Sequence, residues 1–153
     1  VEVVVIGFFV EGKPVPKQSF RMANGHGYTP DHVVAWHNTV NGVAHNVMNE
    51  GGYEMYTGKI CVVLEFLLPT RRRVDLDNLS KNILDALNKV CYKDDAQIAC
   101  LHLYKEYSKE MPGVRIKIKE VYEEVPKIAK GTDRVVYEQE PCGDRPVPQR
   151  DEN

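Results

Sequence analysis

Residues 59–69 read KICVVLEFLLP, apolar at nearly every position. A half-exposed strand alternates apolar and polar side chains, and an amphipathic helix repeats them every three or four residues. A short unbroken run suits instead a strand inside a sheet and covered on both faces. The rest of the chain must then supply neighbours on either side of it and a layer to cover it.

Those neighbours can be read along the sequence. VEVVVIGFFV (1–10) is β-branched and aromatic and predicts a strand. Residues 11–28 hold two prolines and three glycines without helical period, and read as a loop. Thr29-Pro30 has the form of an N-cap followed by proline at the first helical position. Val33, Trp36, Val40, Val43, Ala44 and Val47 then recur at helical spacing, which predicts a helix over 30–49 that Gly51-Gly52 ends. Trp36 falls on the apolar stripe, which makes it a core residue rather than a stacking platform. His32, His37 and His45 share no single face and read as ordinary helix histidines. Leu79, Ile83, Ala86, Leu87 and Val90 mark a second helix over about 77–90. Two strands follow, at 98–109 and 113–123. In the second, Val114, Ile116 and Ile118 alternate with Arg115, Lys117 and Lys119, as in an antiparallel strand with one face in solvent. The order β-α-β-α-β-β predicts an α+β (mixed α/β) domain over 1–124, with one mixed sheet and helices packed on it. Residues 125–153 carry four prolines and scattered charge, and are expected to form an extended or disordered acidic tail.

Composition excludes some classes and leaves others. The chain of 153 residues is long enough for one well-buried core. No apolar run approaches the roughly 18–20 residues of a membrane helix, and Glu2 with no basic segment around it argues against a signal peptide. Four cysteines without framework spacing point to reduced thiols and a cytoplasmic setting. Irregular spacing disfavours a zinc site built from Cys91, Cys100 and His102. The net charge of −2 averages two unlike parts: residues 1–119 hold 15 Lys/Arg against 13 Asp/Glu, and residues 120–153 hold 5 against 9. The distribution of charge therefore says more than its sum.

The chemistry concentrates in RRRVDLDNLSKNILDALNKVCYKDDAQI (71–98). Asp75 and Asp77 stand two apart. If the chain is still extended there, both carboxylates point to one face with Cα atoms about 7 Å apart, close enough to converge on one hard cation or to bridge two. Oxygen ligands without nearby His or Cys favour Mg2+, with Mn2+ as a substitute. Asp94-Asp95 precedes the next strand, and a return of the chain is expected to bring one of them to the same end of the sheet. At about 100° per residue, Asp77, Lys81 and Asp85 share a stripe opposite the apolar one. That stripe begins at the helix N-terminus, where anions are favoured, so Lys81 can donate to a phosphate oxygen. Ordinary readings compete. The DxD can be a turn and an N-cap, the stripe an i,i+4 ladder, and Arg71–Arg73 a solvated face. The sharper reading makes the acids ligands for a metal, and the arginines partners for a polyanion.

With DDAQI following, this stretch resembles the signature of the RusA family of Holliday junction resolvases, small magnesium-dependent endonucleases often encoded by phages and prophages. GKPVPKQSFR and YTP upstream are similar to the family's basic loop and first helix, and the resemblance covers roughly 1–120. It implies that Asp75, Asp77 and Asp95 are catalytic, metal-binding aspartates, that Asp94 is an auxiliary acid and that Lys81 is the catalytic lysine. The expected activity is an endodeoxyribonuclease that resolves four-way junctions by paired nicks in DNA recombination and repair. Its partners would be branched DNA and a second copy in a homodimer, with no membrane. Arg71, Arg72 and Arg73, with Lys13, Lys17 and Arg21 from the glycine-containing loop, are the candidate DNA contacts. An inactive branched-DNA-binding module and a metal-dependent phosphoesterase acting on small substrates are the alternatives.

Overall fold

The apolar run forms β4 (Ile60–Leu68), which lies inside a four-stranded sheet. The structure, a computed structural model, describes residues 4–18 and 21–122, so the expected tail at 125–153 lies outside the described residues. The other strands of the sheet are β1 (Val5–Glu11), β5 (Ile98–Tyr107) and β6 (Gly113–Glu120), in the order β1-β6-β4-β5. β4 runs antiparallel to β6 and parallel to β5, and β1 runs antiparallel to β6. With two helices, α1 (Asp31–Gly51) and α2 (Leu76–Leu87), this is the expected α+β domain with a mixed sheet.

Val62, Leu64 and Phe66 are fully buried and join Trp36 and Val40 of α1, Leu79 and Ile83 of α2, and Ile116 and Ile118 of β6 in one core. Truncating any of the largest, such as Leu64→Ala, would cost about 2–5 kcal/mol. The other face of β4 departs from the expectation of double cover: Val63, Glu65 and Leu67 are half-buried. Arg115 Nη1 donates to Glu65 Oε2 at 3.0 Å across that face, and Lys117 is the β6 partner of Val63. An uninterrupted apolar run therefore marked the interior place of the strand, not cover on both faces. Among the described residues no helix is long and apolar enough to cross a membrane.

Three local details differ from the sequence pattern. The loop at 11–28 contains a short hairpin, β2 (Arg21–Ala23) and β3 (His26–Tyr28), turned by Asn24 and Gly25 at φ 52° and 78°. Two central residues with positive φ match the twist of paired strands, which is why Asn-Gly favours such turns. Pro30, not Thr29, is the N-cap of α1, and its carbonyl accepts from the N–H groups of Val33 and Val34. α2 stops at Leu87 although apolar spacing continues to Val90. Lys89 takes φ 62°, and the chain doubles back so that the buried Tyr92 donates its hydroxyl to Leu84 O at 2.8 Å. Val90 thus owes its burial to this reversal rather than to helix.

Candidate functional site

Asn82 lies 1% exposed on the inner side of α2, between the apolar positions Leu79 and Ile83. A buried amide needs partners. Its Nδ2 donates to Val15 O at 3.1 Å and Val33 O at 3.3 Å, tying the 13–18 loop and the start of α1 to α2. The Lys17 N–H donates to Asn78 O at 2.9 Å in the same contact. Gly12 opens the loop at φ 135°, and a Cβ there would come within 2.9 Å of the Trp36 ring. The loop is thereby laid along α2 with a cleft on either side. One, of about 560 Å³, is lined by Lys13, Arg72, Arg73, Asp75, Asn78 and His32 among others. The second, of about 440 Å³, includes Lys17, Lys81, Asp85, Tyr28 and His32. Asn82 and His32 carried no functional weight in the sequence. The signal for Asn82 was a polar residue inside an apolar helical stripe.

Asp75 is the N-cap residue of α2, extended at φ −81° and ψ 132°, but its side chain makes no capping hydrogen bond. The ordinary reading of the motif as a helix cap therefore fails for this carboxylate, which is exposed in the larger cleft. Asp77 already belongs to the first turn of α2, so the extended stretch expected to carry both acids ends at Asp75. Lys81 Nζ lies 3.8 Å from Asp77 Oδ2 and 3.3 Å from Asn78 Oδ1. Asp85, on the same stripe, is paired instead with Lys17 at 2.5 Å. Both partners are about 40% exposed, so the pair adds little stability, but it engages Lys17 away from the larger cleft. The Arg71 guanidinium stacks over the Tyr107 ring at 4.8 Å, while Arg72 and Arg73 line the cleft. Arg21 begins β2, and its side chain lies outside the described residues.

Asp94 and Asp95 lie at the opposite end of the sheet. Because β5 runs parallel to β4, its first residue, Ile98, pairs with Ile60 at the start of β4. The Gln97 side chain fixes the turn there: Nε2 donates to Tyr56 O and Gly58 O, and Oε1 accepts from the N–H groups of Lys93 and Asp94. Lys105 Nζ donates to Val74 O at 2.7 Å, which places Asp75 beside the far part of β5. From Lys105 back to Ile98 is about 23 Å at ~3.3 Å per residue. The expected return of Asp94-Asp95 to the end that holds Asp75 and Asp77 does not occur within one chain.

The two acids of this turn differ. Asp94 Oδ1 accepts from the Ala96 N–H at 2.9 Å, and this bond, first among its causes, holds its carboxyl below the usual range. Sharing a hydrogen bond with Asp94, together with slight desolvation and the charges of Asp94 and Asp85, pushes Asp95 above it. Among the described residues, the one group of three or more metal-ligating side chains with donor atoms within 4.8 Å of one another is Cys61, Cys100 and His102. Cys91, which the sequence pattern paired with Cys100 and His102, is fully buried in the core instead.

Comparison with known proteins bears on this arrangement. A family model described as Endodeoxyribonuclease RusA matches residues 11–119, which hold both clefts and all four acids. The crossover junction endodeoxyribonuclease RusA of Aquifex aeolicus (strain VF5) is 28% identical over 121 residues, 77% of this chain and 94% of that protein. The uncharacterized protein YqaN of Bacillus subtilis (strain 168) is 46% identical over 55 residues, 36% of this chain. That match spans 38% of the length of YqaN.

Proposed function

Since the chain belongs to the RusA endodeoxyribonuclease family, we propose that it is a magnesium-dependent endonuclease that resolves four-way DNA junctions by paired nicks, acting as a homodimer. The observation that carries this reading is the larger cleft, where an uncapped carboxylate, Asp75, stands among Lys13, Arg72 and Arg73. A cleft for DNA needs cations to hold the backbone and acids to hold a metal beside it. Mg2+ is characteristically held by one or two carboxylates together with substrate phosphate oxygens. Asp75 and the exposed Asp77 offer the carboxylate oxygens that requirement asks for. When bound, the ion supplies a polarised water and charge neutralisation at the phosphodiester. Arg72, Arg73 and Lys13 fix the strand, and Lys81 offsets charge that develops on the phosphate as it is attacked.

What supports the homodimer is the separation of the acids. With Asp95 at the far end of the sheet, a site that uses it together with Asp75 and Asp77 has to draw it from a second copy. A two-fold axis that brings the β4 end of one chain to the β5 start of the other does so twice. Two such sites suit a substrate that separates into two duplexes only after two opposed nicks.

The test is incubation of the full chain with a synthetic four-way junction and with linear duplex of the same sequence, with and without Mg2+. The junction should be resolved only with Mg2+, and the linear duplex left uncut. Junction binding without cutting would favour an inactive recognition module. Hydrolysis of small phosphoesters in place of DNA would favour the phosphoesterase.

A further inference from the structure

The face of the sheet turned away from the helices carries a cluster that the nuclease chemistry does not use. Cys61 of β4 and Cys100 of β5 are register partners on adjacent parallel strands. His102 lies two residues beyond Cys100, hence on the same face. Cys100 Sγ and His102 Nε2 approach to 2.9 Å, and the donor atoms of all three residues lie within 4.8 Å of one another. Cys61 is buried, while Cys100 and His102 are half-buried.

A bulge creates this juxtaposition. Ile60 pairs with Ile98, yet the next residue, Cys61, pairs with Cys100, so Ala99 is the extra residue. Without it Cys61 would oppose Ala99, and Cys100 would point to the helix-covered face. The shift moves the inward positions of β5 from Ile98 to Leu103, both of which pack on the core, and turns Cys100 and His102 outward together. Bulges re-aim side chains in this way and recur at functional sites.

We infer that Cys61, Cys100 and His102 form a binding site for one zinc ion that clips edge strand β5 to β4, with water in the fourth position. Two thiolates and a neutral imidazole cancel the charge of Zn2+, so the loaded cluster can sit half-buried without a net charge to desolvate. Lys119 and Lys117, the β6 partners of Cys61 and Val63, belong to the same face. Binding releases a proton from each thiol, so affinity rises with pH. Zn–S near 2.3 Å and Zn–N near 2.0 Å in a tetrahedral site separate S from N by about 3.5 Å. The observed pair must open by roughly 0.6 Å to reach that value, a small side-chain rotation.

Cobalt substitution tests the site without reference to nuclease activity. The reduced full chain, titrated with Co2+, should take up one equivalent with a thiolate-to-metal charge-transfer band in the near ultraviolet and the intense visible bands of four-coordinate cobalt. Zn2+ should displace it. Cys100→Ser and His102→Ala, both at half-buried positions, should each weaken binding at least tenfold, and Cys100→Ser should diminish the charge-transfer band. Asp75→Asn should change neither. Absence of a charge-transfer band, or a band that survives unchanged in both Cys100→Ser and His102→Ala, overturns the proposal.

Discussion

At the end of the sheet where β4 stops, Asp75 leaves the α2 N-terminus uncapped and shares a cleft with Lys13, Arg72 and Arg73. At the end where β5 starts, Asp94 spends its carboxylate on the Ala96 N–H, in a capping box closed by Gln97. Both regions set acids at the start of a helical turn, where a carboxylate is favoured. They differ in what those acids are left to do. At the β4 end the helix forgoes a cap that would stabilise it by about 1 kcal/mol, and the carboxylate is left for an outside ligand. At the β5 end the cap is made, the turn is pinned to residues 56 and 58, and Asp95 is presented from a rigid support. In the proposed function the first region is the one that would hold a metal and a strand of DNA. The second has one acid to offer, and no copy of the first within reach in its own chain.

The largest expected effect comes from breaking the two ends separately. Asp75→Asn or Asp77→Asn should lower junction cleavage more than about 10³-fold, because each removes a proposed metal ligand. Asp95→Asn should do the same. Junction binding should survive in all three, since the basic surface is untouched. Mixing Asp75→Asn chains with Asp95→Asn chains then separates two arrangements. If each site draws Asp95 from the other copy, half of the dimers formed at random are mixed, and each has one intact site. Nicking should return to about a quarter of the wild-type level, with little full resolution. If each chain holds a complete site, every site in the mixture lacks an acid and nothing returns. Nicking assays on dimers refolded together decide the matter.

The separation that this experiment exploits was partly legible in the sequence. Strand, helix and strand over 59–107 imply a crossover, and a crossover between neighbours implies parallel strands. Parallel strands put the start of the second beside the start of the first, hence Asp95 at the far end of the sheet from Asp75. Closeness of the two acidic pairs along the chain obscured this. Helix α1, both flanks of the sheet and the core positions of β6 were legible because burial imposes a local period. The uncapped state of Asp75 was not, since a sequence shows only that an acid stands where a cap belongs. Nor could spacing replace Cys91 by Cys61 beside Cys100, because a one-residue bulge and a pairing between distant strands decide it.

Within the β4 end, Lys81 and the cleft arginines should separate by what they change. Lys81→Ala removes an ammonium held 3.8 Å from Asp77, and should slow single-turnover cleavage about 10²-fold with little loss of affinity. Arg72→Ala combined with Arg73→Ala should do the reverse, weakening junction binding about tenfold. The same double change should reduce the slope of log affinity against log salt by about two, the signature of two phosphate contacts. Equal losses of rate and affinity in both variants would show that Lys81 is one more backbone contact.

The smallest effect is expected at the other end, from Asp94→Asn. The substituted amide oxygen can still accept from the Ala96 N–H, so the turn should hold. What disappears is the like charge and the shared proton that push the Asp95 carboxyl up. A metal ligand must be deprotonated, so if Asp95 meets the proposed metal, its raised pKa should make the magnesium requirement climb as pH falls towards it. With Asp94→Asn that climb should begin at lower pH, and at mildly acid pH the variant should need a few-fold less Mg2+ for half-maximal cleavage. Stability is a poor readout, because the two shifts oppose each other. The lowered Asp94 contributes stability above its unfolded pKa that is lost as pH falls, whereas the raised Asp95 contributes stability on the acid side that is lost as pH rises through its folded pKa. Both side chains are exposed, so either contribution is small. Magnesium titrations of cleavage at several pH values isolate Asp95 alone. An acid limb that stays where it was after Asp94→Asn would mean that Asp95 does not meet the metal, and the two ends of the sheet would then have no reason to come together.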